Sequence, residues 1–403
     1  MTADVRTSAS TSTSATGIDR WRMPSLVIGI IGIVLSIIGY IIDPRTFFQS
    51  YLPSFLFWFS IVAGSLAVLM LQYVTGGEWG LMIRRPLGAS ARTMLWMVLF
   101  FIPILFGLKQ IYPWANTAWA MADENVRQKL DWLNWKRFLL FAALYFALWN
   151  LWAWRIRMLS LKFYKDRSPY TELSRRKWAA SGLVMIVLTL TFASIDWMLS
   201  TEPKFSSTIY GITFVVGCAL SALAFVTFFF AQLAHTDAMR GVLKPTHFRD
   251  LGNLMLAFVM FYAYTTFSEF LLIWYANVHE EIPHYLVRNS GVWGAVAFAV
   301  AMFHFFLPFG LLLMRPIKDK PKTIAIVAVI VIVMRYVVLY WLVTPSWSGS
   351  QFTFSWMNLT SLLGIGGIWI WAFIGQLRGQ TIIPIHETWV EEAIREGALK
   401  VNA

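Results

Sequence analysis

Ten stretches of about 20 predominantly apolar residues recur along this chain, and they restrict its fold more than any other feature. They are Pro24–Ile42, Pro53–Thr75, Ala89–Leu108, Phe138–Met158, Trp178–Ser200, Thr208–Ala234, Leu251–Ala276, Gly291–Met314, Thr323–Val343 and Asn358–Leu377. Inside a bilayer every backbone N–H and C=O must be satisfied within the segment, so each run is expected to be a helix. Soluble domains carry about 25% charged residues; here the share is 13%, with 58% hydrophobic. The 21 Trp and 32 Phe suit lipid-facing surfaces and interfacial belts. The expected class is an all-α integral membrane protein with ten transmembrane helices.

Lysine and arginine sit asymmetrically about these spans. The tails and even-numbered connections hold 24 of the 33. The odd-numbered connections hold eight: Arg45, Lys109, Arg127, Lys129, Lys136, Arg137, Lys204 and Arg288. Arg335 lies within a span. Positive charge marks the cytoplasmic side, so both termini are expected there. The same bias accounts for the net charge of +12 without nucleic acid. Residues 1–22 read as a disordered cytoplasmic tail, 23–378 as the membrane domain and 379–403 as a second cytoplasmic tail. Within the last, His386–Ala403 is acidic and amphipathic, which suits either a docking helix or a solvated one. The first apolar run is long enough to span and lacks a small-residue cleavage site, so it does not read as a cleaved signal.

Ionisable residues inside spans are costly and usually paired or functional. Asp196, Glu269, His304 and Arg335 are four such residues. At 1.5 Å per residue, Asp196 and Glu269 lie roughly 27 Å from the cytoplasmic ends of their helices, toward the outer surface. His304 and Arg335 lie roughly 15 and 18 Å in, near the midplane. Tyr262, Thr265, Thr266 and Glu269 share one face of the seventh span by i, i+3, i+4, i+7 spacing. Pro308 cannot donate to the carbonyl of His304, which predicts a kink and a freed acceptor there. Each feature has a plainer reading. Arg335 could lock helices together, Glu202 could be a solvated loop residue, and the Tyr/Thr stripe could only bridge helices.

Other chemistries lack their residues. A single cysteine, Cys218, rules out a disulfide within the chain and a cysteine-ligated cluster. Only His304 lies in a span, with His235, His247, His279, His284 and His386 in or near connections, so a bis-histidine haem is not expected. No Gly-rich phosphate loop occurs, and the Gly364–Gly367 cluster reads as close helix packing.

Three segments carry a resemblance. They are SIDWMLSTEPKFSSTIYGITFVVG from Ser194, HFRDLGNLMLAFVMFYAYTTFSEFLLIWYANVHEEIPHYLVR from His247, and WGAVAFAVAMFHFFLPFGLLLMR from Trp293. Together they resemble the NrfD/polysulfide-reductase family of membrane subunits, in particular the F subunits of alternative complex III, a bacterial quinol:cytochrome c oxidoreductase. The resemblance covers about Ser194–Pro345, and the first four spans carry no motif of it. It implies two four-helix bundles plus two further helices and no haem or cluster in this chain. It also implies a bacterial inner membrane location. The implied partners are an iron–sulfur subunit, a second ten-helix subunit and cytochrome c subunits. Asp196, Glu202, Glu269, His304 and Arg335 lie at matching positions.

The candidate site residues for a proton path or a quinone site (menaquinone or ubiquinone) are therefore Asp196, Glu202, His235, Asp237, Tyr262, Tyr264, Glu269, His304 and Arg335. His235 and Asp237 are included as a cytoplasmic opening at the end of the sixth span. The expected function is that of an accessory membrane subunit of a respiratory quinol oxidoreductase. An ion-coupled secondary transporter and a purely structural anchor are the alternatives. The former lacks a convincing internal repeat.

Overall fold

A computed structural model of the chain describes residues 16–80, 82–234 and 243–378. His235, Asp237, residues 1–15 of the N-terminal tail and the C-terminal tail from 379 lie outside the described residues. Ten helices are long and apolar enough to cross a membrane: α1 Gly17–Ile42, α2 Pro44–Thr75, α3 Arg84–Phe106, α4 Trp135–Asp166, α5 Pro169–Thr201, α6 Tyr210–Leu233, α7 Pro245–Ala276, α8 Gly291–Leu313, α9 Pro321–Ser348 and α10 Trp356–Leu377. Among the described residues there is no strand.

Several helices run past the apolar stretch that defines them. The second was expected to start at Pro53, but Pro53 lies inside α2. The start is set upstream, where Asp43 accepts hydrogen bonds from the N–H groups of Arg45 (3.1 Å) and Thr46 (3.2 Å) and Pro44 occupies the first turn. That is the chemistry of a helix N-terminus. Between α4 and α5 the chain reverses in two residues. Arg167 adopts φ 47°, and Ser168 caps Pro169 onward through its side chain. Residues 1–22 were expected to be a disordered tail, but the described part of them, 16–22, is largely helical: Thr16–Asp19 form a helical turn and α1 begins at Gly17.

Burial identifies the centre. Within the apolar windows of α2 and α6, 83% and 78% of residues are buried, against 17% in α8 and 28% in α1 and α7. The backbones of α2 and α6 meet at Gly64, where a Cβ would overlap the carbonyl of Cys218. Further along this seam Ser60 donates to Ser221 at 3.1 Å. Trp197 closes an aromatic core against Phe101 (ring centroids 4.7 Å), Phe59 (5.2 Å) and Phe146 (5.5 Å).

Helix α1 is held to α10 by the absence of side chains. Its buried residues are Ser25, Gly29, Gly32, Ser36 and Gly39, a small-residue stripe. A Cβ at Gly29 or Gly32 would overlap the backbone at Gly367 or Gly364. Close backbone approach of this kind is how helices associate in lipid, where burial of apolar surface drives little. The Gly364–Gly367 cluster thus has the packing role expected of it. Arg378 pairs with Asp19 at 3.6 Å, so the two ends of the described chain meet at one end of the bundle.

The opposite, far end is closed by connections that grip one another. Residues 107–134 form short helices. Trp347 donates to the carbonyl of Ile111 (2.7 Å), Lys129 to that of Pro203 (2.9 Å), and Trp341 to that of Arg288 (3.3 Å).

Candidate functional site

Helices α6, α7, α8 and α9 bring three of the expected residues together. Tyr262 of α7 lies between two nitrogenous groups: the Arg335 guanidinium carbon is 4.7 Å from its ring centroid, and the His304 ring is 4.8 Å away at 72°. All three are buried, Arg335 to 1% exposure and His304 to 3%. Arg335 donates from Nε to Ser221 Oγ (3.2 Å), and Ser221 donates to the Gly217 carbonyl (2.8 Å). Gly217 makes room for this, because a Cβ there would overlap the guanidinium. Among the described residues no carboxylate pairs with Arg335. Its Nη1 and the Nε2 of His304 have no hydrogen-bond partner. A buried polar atom left unmatched costs about 1–3 kcal/mol, so two beside one ring call for an explanation.

The backbone at His304 is unusual. Ala301–Phe306 is a π-helical turn, in which Leu307 N–H bonds to the carbonyl of Met302, five residues back. Pro308 lacks the N–H that would close the α-helical bond to His304. Where the kink was expected the helix makes a π turn, a feature common at functional sites. It aims His304 inward from α8, whose neighbours Phe303 and Phe306 are exposed.

Glu269 and Asp196 have separate partners and are not a carboxylate pair. Glu269 accepts from the Ser207 hydroxyl. Asp196 is held by Arg137 (2.9 Å) and the Tyr145 hydroxyl (2.9 Å), with the Arg137 guanidinium 3.2 Å over the Trp132 ring. That constellation ties α4 to α5. Tyr262, Thr265 and Glu269 share a buried face of α7, as their spacing requires, with Thr266 at its margin. Tyr264 points elsewhere. It is 69% exposed, being two residues, and so about 200°, away from Tyr262.

Glu202 is not a solvated loop residue. It accepts from His284 Nδ1 at 2.8 Å and pairs with Arg288 at 3.1 Å. Arg288, 1% exposed, also donates to the carbonyls of His284 (2.9 Å) and Leu342 (2.7 Å). The His284 ring stacks on Phe205 at 3.9 Å. Burial pushes the Glu202 carboxyl up, but the His284 hydrogen bond and the Arg288 charge outweigh it and hold the group at about 2. Burial and then the Arg288 charge push His284 down to about 4, against the pull of Glu202. Sequence reasoning passed over His284 and Arg288 as connection residues. Their i, i+4 spacing on the short helix Ile282–Arg288 was the available signal.

No group of three or more His, Cys, Asp or Glu side chains placed to hold a metal ion occurs among the described residues. No model of a known protein family matches the chain, and no curated protein does.

Proposed function

We propose that this chain is an accessory membrane subunit of a bacterial respiratory quinol:cytochrome c, or high-potential acceptor, oxidoreductase. In it, the α6–α9 cluster relays protons. The observation that carries this reading is Tyr262 held between Arg335 and His304, with unmatched nitrogens on both sides. A hydroxyl, an imidazole and a freed helix carbonyl are groups that water or a ligand hydroxyl can bridge. Glu269, seven residues further along the same face of α7, continues the track toward the far end. The Glu202–His284–Arg288 cluster is its outer neighbour. Quinol oxidation releases protons, so a base within reach is chemically required. A quinone, menaquinone or ubiquinone, lodged beside Tyr262 or His304 is the second form of this proposal.

The remaining assignments belong with this reading. They are cytoplasmic termini, an inner-membrane location, grouping into two four-helix bundles plus two further helices, and assembly with iron–sulfur, second ten-helix and cytochrome c subunits. The Lys/Arg distribution and the three resembling segments support them. Glu269→Gln and His304→Ala in the assembled complex are the test. Both should depress quinol oxidation and its linked proton release. Wild-type rates for both would remove the cluster from the mechanism. Purification discriminates the alternatives: an ion-coupled transporter runs alone, whereas a complex subunit brings haem-containing partners.

A further inference from the structure

A groove runs along the lipid-facing side of α3 and α4, on the other side of the bundle from the α6–α9 cluster. Its lower part is a largely apolar cavity of about 380 Å³ bounded by Leu95, Ile102, Ala143 and Ala147, with Asn150 its one polar lining residue. Its upper part, about 460 Å³, has a polar mouth that includes Lys109, Gln110, Trp114 and Asn134. Leu105 borders both, so the two adjoin there. The groove exists because α4 presents the small residues Ala143 and Ala147 four apart, over a floor of buried Phe101 and Phe146.

Its dimensions and chemistry select the occupant. From Leu95 to Phe106, the last residue of α3, the groove follows 11 residues, roughly 16 Å of helix. That exceeds half of a hydrocarbon core of about 30 Å. It is therefore a slot for a long apolar chain lying along the bilayer normal. Lys109 is exposed at the mouth, where an ammonium meets lipid phosphates. Two wall atoms of the mouth have no hydrogen-bond partner: Nε1 of Trp114, a residue 4% exposed, and Oε1 of Gln110. A donor and a cation above an apolar slot match the phosphate oxygens of a phosphatidylethanolamine headgroup, and the acceptor matches its ammonium, with an acyl chain below.

We propose that this groove seats one phospholipid of the far-end leaflet, its acyl chain between α3 and α4 and its phosphate at Lys109. The inference rests on the ten-span architecture and is independent of the redox proposal.

The test uses the full chain in nanodiscs containing a phosphatidylethanolamine with a photoactivatable acyl chain, with cross-linked peptides located by mass spectrometry. Labelling should concentrate on residues 95–109 and 139–150. Ala147→Phe, which fills the slot, should abolish it there. Lys109→Ala should weaken it roughly tenfold, as for one lost charged hydrogen bond. Labelling spread evenly around the bundle, or unchanged in both variants, overturns the proposal. So does recovery of an isoprenoid quinone rather than a phospholipid from the groove of the purified chain. Were either variant to fail to fold, the wild-type labelling map alone decides.

Discussion

Arg137, with 13% of its side chain exposed, and Arg335, buried, both lie on aromatic rings, and they differ in what accompanies the charge. Arg137 has a carboxylate, Asp196, which itself is only 2% exposed. Removing one partner of a buried pair strands the other, at a cost of about 3–5 kcal/mol. Arg137→Ala should therefore cost far more thermal stability than Asp196→Asn, which keeps a hydrogen-bonding group for Tyr145. Equal melting temperatures for the two variants would show that the pair does not hold α4 to α5. Arg335 has no such partner among the described residues, and Gly217 is the local device that makes space for it.

Glu202 and His284 predict the pH response. Glu202 is held at about 2, below its ordinary 4.5, and His284 at about 4, below its ordinary 6.5. In both cases the unfolded chain binds the proton more readily, so stability rises with pH across these intervals. The stabilisation is complete above about pH 6.5, the unfolded histidine value. It falls as pH drops through 6.5 toward 4 for His284, and through 4.5 toward 2 for Glu202. Melting curves between pH 7 and 4 should show a decline that His284→Gln reduces, and an identical slope in that variant would contradict it.

At the scale of the element, α8 is the helix whose geometry is tied to one residue. Pro308 withholds the N–H that an α-helix would use, and Ala301–Phe306 winds as a π turn instead. Pro308→Ala restores the donor. The helix should then close to regular α geometry, turn His304 away from Tyr262, and gain up to about 3 kcal/mol of helix stability. The expected result is a melting temperature at or above wild type with loss of proton-linked activity. Full activity would mean that packing against α9, not the proline, sets the turn. Periodicity placed Tyr262, Thr265 and Glu269 on one face, and packing buried that face, because residues three and four apart project in the same direction. Periodicity could not assign Tyr264 to the path, since the same rule turns it outward. Nor could it pair Glu202 with His284 and Arg288. That contact joins two connections 82 residues apart, and local patterns carry no information at that distance.

For the whole molecule, the meeting of Asp19 and Arg378 places both ends of the described chain together. In the proposed orientation, which the Lys/Arg distribution supports, that end faces the cytoplasm. Cys218 is the only cysteine and is fully buried, so labelling of introduced cysteines has little background. Introduced at Asp166 or Arg378, a cysteine should react with an impermeant thiol reagent only in inside-out vesicles. Introduced at Asp43 or Asn277, it should react only in right-side-out ones. The reverse pattern would invert the orientation.

The amino-acid sequence by itself determined the number of spans and the identity of the costly residues within them. Both follow from hydrophobic length and from what lipid will not solvate. Tertiary structure decided which of those residues meet. Asp196 went to Arg137 and Tyr145, Glu269 to Ser207, and Tyr262 to Arg335 and His304. The reason is physical. Depth along a helix is a local count, but adjacency around a bundle depends on where glycines and serines let backbones approach, and those contacts join segments remote in the chain.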